Sequence, residues 1–200
     1  KNGIIYVDSS KNGIGDSWAN AVAEFADALH TARFDTSVHE IWVAKGNYFP
    51  KHNIIDGSSK TCPIAGANPS FVLPKDIKIY GGFVGGETDE AQRDYTTNKT
   101  FLNGDIGTTG VETDNCSNVV IGSGDVGNTK LDGFSIINGY ASIGSTMPVN
   151  TNTVLSGNGG GIYLHNSSPK IKNCAIQFNN GNKGAAIYMK NSAASFEQCT

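Results

Sequence analysis

Gly160-Gly161-Ile162-Tyr163-Leu164-His165-Asn166-Ser167 is echoed by Ala185-Ala186-Ile187-Tyr188-Met189-Lys190-Asn191-Ser192. The offset, 187 − 162 = 25, also carries Ile171 onto Phe196, Asn173 onto Gln198 and Cys174 onto Cys199. Each unit is made of short alternating runs. Ile162 and Leu164 point one way and Tyr163 and His165 the other, as in a strand. Ile171, Cys174 and Ile176 give a second apolar run beyond the Asn166-Ser167-Ser168-Pro169 turn. No helical spacing occurs here. A repeat of about 25 residues built from short strands and turns fits one coil of a parallel β-helix, a solenoid. Its coils stack about 4.8 Å apart, so equivalent residues form ladders. The inward ladders are Ile162/Ile187, Leu164/Met189, Ile171/Phe196 and Cys174/Cys199, with Asn166/Asn191 at a turn.

An earlier coil is legible but interrupted. Leu131-Asp132-Gly133-Phe134-Ser135-Ile136 matches Ile171 to Ile176 at an offset of 171 − 131 = 40. The surplus falls in the Ser/Thr/Asn-rich stretch 141–158, which reads as a loop inserted into the coil. Asn118-Val119-Val120-Ile121 is the strand before it. Upstream, Ile4 to Val7, Ile41 to Ala44, Phe71 to Leu73 and Ile77 to Tyr80 read as strands. Val22, Phe25, Ala26 and Leu29 fall at helical spacing. A helix over 18–33 is expected, with Asp16 and Ser17 at its N-cap. A stack of coils has an apolar end that needs covering, and this helix is the natural N-terminal cap. Residues 1–50 therefore hold the cap and first strands, and 71–200 hold the coils. Thr200 stops inside a repeat with no polar cap, so the chain is expected to continue beyond 200.

Composition narrows the function. Fifteen Lys and Arg against eighteen Asp and Glu give a net charge of −3. That argues against nucleic acid as partner, since no basic excess draws phosphates. Twenty-five glycines in 200 residues mean many turns and left-handed positions. No run approaches the roughly 18 apolar residues of a membrane span, and nothing at Lys1 resembles a signal peptide. None of the four cysteines lies in a CxxC. Cys62 and Cys116 pair only if the protein is exported, which the sequence leaves open. In the Cys174/Cys199 ladder the Cβ vectors are parallel rather than convergent, which favours thiols acting as small hydrophobes.

The chain also resembles a known group. Tyr6-Val7-Asp8, Gly13-x-Gly15-x-Ser17-Trp18-x-Asn20-Ala21 and Ala28-Leu29 look like the start of exported right-handed parallel β-helix proteins of pectin-lyase-like fold. Ile41-Trp42-Val43-Ala44-Lys45-Gly46-x-Tyr48, Ile79-Tyr80-Gly81-Gly82-Phe83, Gln92-Arg93-Asp94 and Asn103-Gly104-Asp105-Ile106 fit the same group. The Gly-Gly-Ile-Tyr and Asn-Cys repeats resemble those of chlamydial polymorphic outer-membrane proteins and of large Bacteroidetes surface proteins. Departures are Ala185-Ala186 in place of a glycine pair, and Phe178-Asn179-Asn180 as a loose Phe-x-x-Asn. The resemblance implies an all-β, right-handed parallel β-helix. It implies a secreted or cell-surface protein handled by the export machinery of its bacterium.

Three candidate chemistries remain. Uronate lyases on this fold need a base and a cation to neutralise a carboxylate. Only Arg33 and Arg93 supply guanidinium, and Arg93 has carboxylates beside it in sequence. Glycosidases need two facing carboxylates, yet from 156 onward Glu197 is the one acid, and Asp105, Asp114, Asp125 and Asp132 define no pair. No catalytic residues are assigned. Gly81-Gly82-x-x-Gly85-Gly86 lacks the Lys-Ser/Thr ending of a phosphate loop. Asp8 and Asp16 sit in an oxygen-rich, Gly-containing stretch that admits calcium, although position 12 of such a loop is Ala19 rather than Glu. No other cofactor is implied. Tyr163, His165, Tyr188 and Lys190 share an outward face suited to sugar rings or a protein surface, unless the 141–158 stretch folds over it. The expected function is a non-catalytic, adhesin-like module contacting surface glycans or proteins. The alternatives are a polysaccharide-degrading lyase or glycoside hydrolase, and a structural stalk.

Overall fold

The computed structural model describes residues 2–52, 69–142 and 144–200. The chain is mostly β, with parallel sheets and one α-helix among the described residues. Six strands, Ile4–Val7, Glu40–Ala44, Lys78–Phe83, Lys130–Asp132, Lys170–Lys172 and Ser195–Glu197, lie side by side in chain order. A four-stranded sheet holds Phe71–Val72, Val120–Ser123, Ile162–His165 and Ile187–Lys190. A second holds Gly46–Tyr48, Thr100–Asn103, Ser135–Ile137 and Ala175–Gln177. Neighbours in all three sheets are parallel. From Phe71 onward the chain visits the three sheets in one recurring order.

The register is the one the repeat predicts. Ile162 pairs with Ile187, Leu164 with Met189 and Ile171 with Phe196. The offset of 40 holds as well, with Leu131 opposite Ile171 and Ile136 opposite Ile176. Alternation then sends one set of residues inward. Ile41, Ile79, Leu131 and Ile171 of the first sheet meet Val120, Ile162 and Leu164 of the second and Tyr48, Leu102 and Ile136 of the third in one apolar core. The bends after the strands use left-handed backbone. Asn166 and Asn191 both have φ 51°, and Asn173 and Gln198 have 52° and 53°. Asn tolerates this region because its short polar side chain bonds locally, so the turn ladder follows from residue type.

The helix departs from expectation. It spans Phe25–Phe34, not 18–33, and Glu24 rather than Asp16 or Ser17 stands at its N-cap. Trp18–Asn20 forms only a short 3-10 turn. Val22, β-branched and suited to extended backbone, bridges Val7 instead. Its N–H donates to Tyr6 O at 3.0 Å, and Asp8 N–H donates to Val22 O at 2.9 Å. Phe25, Ala26, Ala28, Leu29 and Ala32 form the buried face. Phe25 meets Tyr48, Phe71 and Phe134 at ring-centroid distances of 6.4, 5.0 and 5.8 Å. The helix packs on the first strands of the sheets, so it covers the N-terminal end of the core.

The 141–158 stretch is also more ordered than a plain loop. Thr146–Val149 and Asn152–Leu155 pair antiparallel as a hairpin. Cys174 is buried and Cys199 half-buried, both as thiols. Cys62 lies outside the described residues, so its pairing with Cys116 is not described.

Truncation along the helix separates its two faces. Phe25→Ala is expected to cost about 3–5 kcal/mol, whereas Phe34→Ala, with Phe34 63% exposed, stays within about 0.5 kcal/mol of the parent. Urea unfolding of both variants checks this.

Candidate functional site

The outer face of the six-stranded sheet carries the charges. Register places Glu40 opposite Lys78, Lys78 opposite Lys130 and Lys130 opposite Lys170. The residues that follow, Ile41, Ile79, Leu131 and Ile171, are fully buried, so alternation turns the lysines outward. Strands about 4.8 Å apart thus hold three lysines in a row. Like charges directly opposite one another destabilise a sheet, and the neighbours show how this is offset. Lys78 Nζ lies 3.7 Å from Glu40 Oε1. Lys130 Nζ lies 3.5 Å from Asp132 Oδ2 and 4.3 Å from the centre of the Tyr80 ring. Lys170 is exposed, and no carboxylate pairs with it among the described residues. One step on, Lys172 approaches Glu197 at 3.6 Å.

A buried ionic knot anchors this ladder. Arg93 arrives on the excursion between Phe83 and Thr100. Its Nη2 lies 2.9 Å from Asp132 Oδ1 and its Nε 2.7 Å from Glu90 Oε1. Nη1 donates to the carbonyls of Gly81 and Asp132 at 3.1 and 3.3 Å. The guanidinium also sits 5.0 Å from the Tyr80 ring centre and 5.4 Å from that of Tyr95. Asn173 Nδ2 adds a 2.8 Å bond to Asp132 Oδ1. The Arg93 and Asp132 side chains are only 7% and 3% exposed. Burial pulls the Arg93 pKa down, and the bonds to Asp132 and Glu90 more than offset it, so the net direction is up. Burial, helped by Glu40 and Glu90, pushes the Tyr80 phenol up to about 12. Gly133 makes room for the knot. Its φ is +87°, and a Cβ there would stand 2.6 Å from Arg93 Nη1 and 2.9 Å from Gly81 O.

Sequence reasoning overlooked the lysine ladder. The signal was present as Lys78-Ile79, Lys130-Leu131 and Lys170-Ile171. Extending the 40-residue alignment one position back would have stacked Lys130 on Lys170.

The face chosen from sequence is arranged differently. Tyr163 pairs with Tyr188 and His165 with Lys190, as the repeat requires, and the tyrosine rings lie 5.2 Å apart. The hairpin folds over them. Val149 and Val154 pack with Ile121 and Tyr163, and Met147 joins the cluster. His165 Nδ1 lies 3.0 Å from Thr153 O, and Leu155 N–H donates to the Tyr163 hydroxyl at 3.4 Å. Tyr163 and His165 are therefore buried, leaving Tyr188 half-buried and Lys190 exposed. Burial raises the Tyr163 pKa. Outward alternation placed these side chains correctly. What it lacked was the apolar face of the hairpin, formed by Met147, Val149 and Val154.

Asp8 and Asp16 are occupied locally. Asp8 Oδ1 accepts from Ser10 N–H at 2.9 Å and Ser10 Oγ at 2.8 Å. Asp16 Oδ1 accepts from Asn20 Nδ2 at 2.9 Å. Among the described residues no three His, Cys, Asp or Glu side chains gather into a metal-holding group. No helix among them is long and apolar enough to cross a membrane.

Compared with protein-family models, curated proteins and solved structures, the chain matches none of them.

Removing one partner of a buried pair strands the other charge. Asp132→Ala is expected to cost about 3–5 kcal/mol, and the double variant Arg93→Met/Asp132→Leu to recover most of that loss. Thermal and urea unfolding of the three chains compare them.

Proposed function

We propose that this chain is a non-catalytic extracellular module, a right-handed parallel β-helix, that contacts anionic glycans through its lysine ladder. Three features support the architecture: strands stacked in chain order, three sheets around one core, and a register that repeats every 25 residues at the simplest pass. Crossovers between parallel neighbours of one sheet are right-handed as a rule. Placement at the cell surface or in the secreted fraction rests on the resemblance to exported β-helix proteins.

The observation that carries the ligand reading is the row Lys78, Lys130 and Lys170. Each ammonium alone is worth little at an exposed position. A linear polymer bearing repeated carboxylates or sulfates meets all three together, and the contacts then multiply. Exposed charges are screened by salt, so such binding is salt-sensitive. Binding rather than bond cleavage is favoured because Arg93 is closed in by Asp132 and Glu90 and not offered to a substrate.

The test is retention on an immobilised uronate-rich or sulfated polysaccharide, with a neutral one as control. The parent is expected to be held at low salt and released at high salt. Lys78→Glu/Lys170→Glu is expected to weaken retention by about tenfold. Equal retention on the neutral polymer, or an unaffected double variant with native circular dichroism, overturns the reading. Shortening of the polymer would instead assign a polysaccharide-degrading enzyme.

A further inference from the structure

Cys174 and Cys199 occupy the same position on adjacent passes of the chain, just beyond the paired strands Lys170–Lys172 and Ser195–Glu197. Backbone hydrogen bonds bracket them. Asn173 N–H donates to Glu197 O at 2.9 Å, and Thr200 N–H donates to Cys174 O at 3.0 Å. These bonds leave no freedom to slip, so the two Cα atoms are held at the strand separation of about 4.8 Å. That value lies inside the window of roughly 4.4–6.8 Å that a disulfide spans. The Cys174 thiol donates to Lys172 O at 3.2 Å and the Cys199 thiol to Glu197 O at 3.5 Å, the equivalent carbonyls on the two paired strands. Their surroundings differ. Cys174 is 2% exposed and sits in the core. Cys199 is half-buried at the margin of that core. An open cleft of about 160 Å³, lined by Tyr95, Lys99, Asn173, Cys174, Gln198 and Thr200, reaches Cys174 and the two residues that flank Cys199.

We propose that Cys174 and Cys199 form a reversible dithiol–disulfide site that exchanges with low-molecular-weight disulfides. The Cys199 thiolate attacks one sulfur of the small disulfide. A Cys199–S–S–R bond forms, the RS–SR bond breaks, and one RS⁻ leaves and takes up a proton. Cys174 then releases its proton to water, and its sulfur attacks Cys199 Sγ. The Cys174–Cys199 bond forms and the second RS⁻ leaves. In sum, two protein thiols are oxidised and one small disulfide is reduced to two thiols.

The division of labour follows from the environments. The neighbouring Cys174 thiol, the largest effect, takes the Cys199 pKa down to about 6, which favours thiolate at neutral pH. Burial holds Cys174 protonated. An accessible, acidic thiol beside a resolving partner is the arrangement of redox-sensitive cysteines. The parallel Cβ vectors make the product strained, and strained disulfides are the readily reduced ones. The geometry therefore describes a switchable link between passes rather than a permanent staple.

The test incubates the 200-residue chain in graded ratios of reduced and oxidised glutathione. Thiols are blocked with N-ethylmaleimide, and the bonds are mapped by peptide mass spectrometry. A Cys174–Cys199 cross-link that forms on oxidation and disappears when reduced glutathione is restored is the expected result. In parallel, the rate of Cys199 alkylation by iodoacetamide should reach half its plateau near pH 6, and in Cys174→Ala at higher pH. Cys174→Ala should also accumulate a Cys199–glutathione adduct. The proposal is overturned if both thiols survive every ratio in the folded chain. It is equally overturned if Cys199 in the parent ends as a stable glutathione adduct, or if the parent's alkylation profile centres near the ordinary thiol pKa. The parent alone decides these outcomes should the variant fail to fold.

Discussion

One inward-pointing apolar residue per strand holds this protein in phase. In the six-stranded sheet the series is Ile5, Ile41, Ile79, Leu131, Ile171 and Phe196, joined by register without a break. Shifting a strand by one residue would turn its apolar side chain outward and, in every strand of the series after the first, bring a charged neighbour into the core. The intervals between members are 36, 38, 52, 40 and 25 residues, obtained by subtracting successive numbers in the series. Register is thus constant while the path length doubles. This is affordable physically because the entropy of closing a loop grows only slowly with its length. Surplus chain is expelled outward as excursions, and the sheets below stay regular.

That asymmetry explains what could be read from sequence. The last pass has no surplus, so its 25-residue echo is plain. The pass from Leu131 to Ile171 contains one insertion and is legible from its ends. The pass from Ile79 to Leu131 carries the largest surplus, the one from Ile5 to Ile41 holds the helix, and the upstream strands showed as isolated apolar runs whose partners were hidden. The misplaced start of the helix has a different cause. Val22 satisfies the helical spacing with Phe25, Ala26 and Leu29 and also suits an extended bridge, and the open backbone groups of Tyr6 and Asp8 decided between them. Periodicity counts apolar positions but cannot see an unpaired strand edge waiting for a partner.

The excursions also determine which faces remain open. The hairpin 146–155 lays Val149 and Val154 on Tyr163 and removes that face from solvent. The 84–99 excursion brings Arg93 onto Asp132 and Tyr80 and fixes the neighbouring face while leaving Lys170 exposed. Outward alternation specifies candidates for contact on every face alike. Only the packing of the insertions selects among them, and that packing is long-range. Arg93 and Asp132 are 39 residues apart in sequence, too far for any local pattern to pair them.

A net charge of −3 and a cationic face are compatible for a related reason. Net charge governs diffuse attraction at distances where the whole chain acts as one source. At close range each ion responds to charges within the Debye length, about 8 Å at physiological salt. Three lysines on adjacent strands span about 10 Å, so a bound carboxylate senses them together and most of the eighteen acids weakly. Asp132, the nearest strong counter-charge, shares its carboxylate among Arg93, Asn173 and Lys130. Without Arg93 the whole of that carboxylate's charge would act on Lys130 and divide the row. The buried knot therefore draws part of the Asp132 charge away from the ladder, and the local field of this sheet depends on an ion pair that solvent scarcely touches.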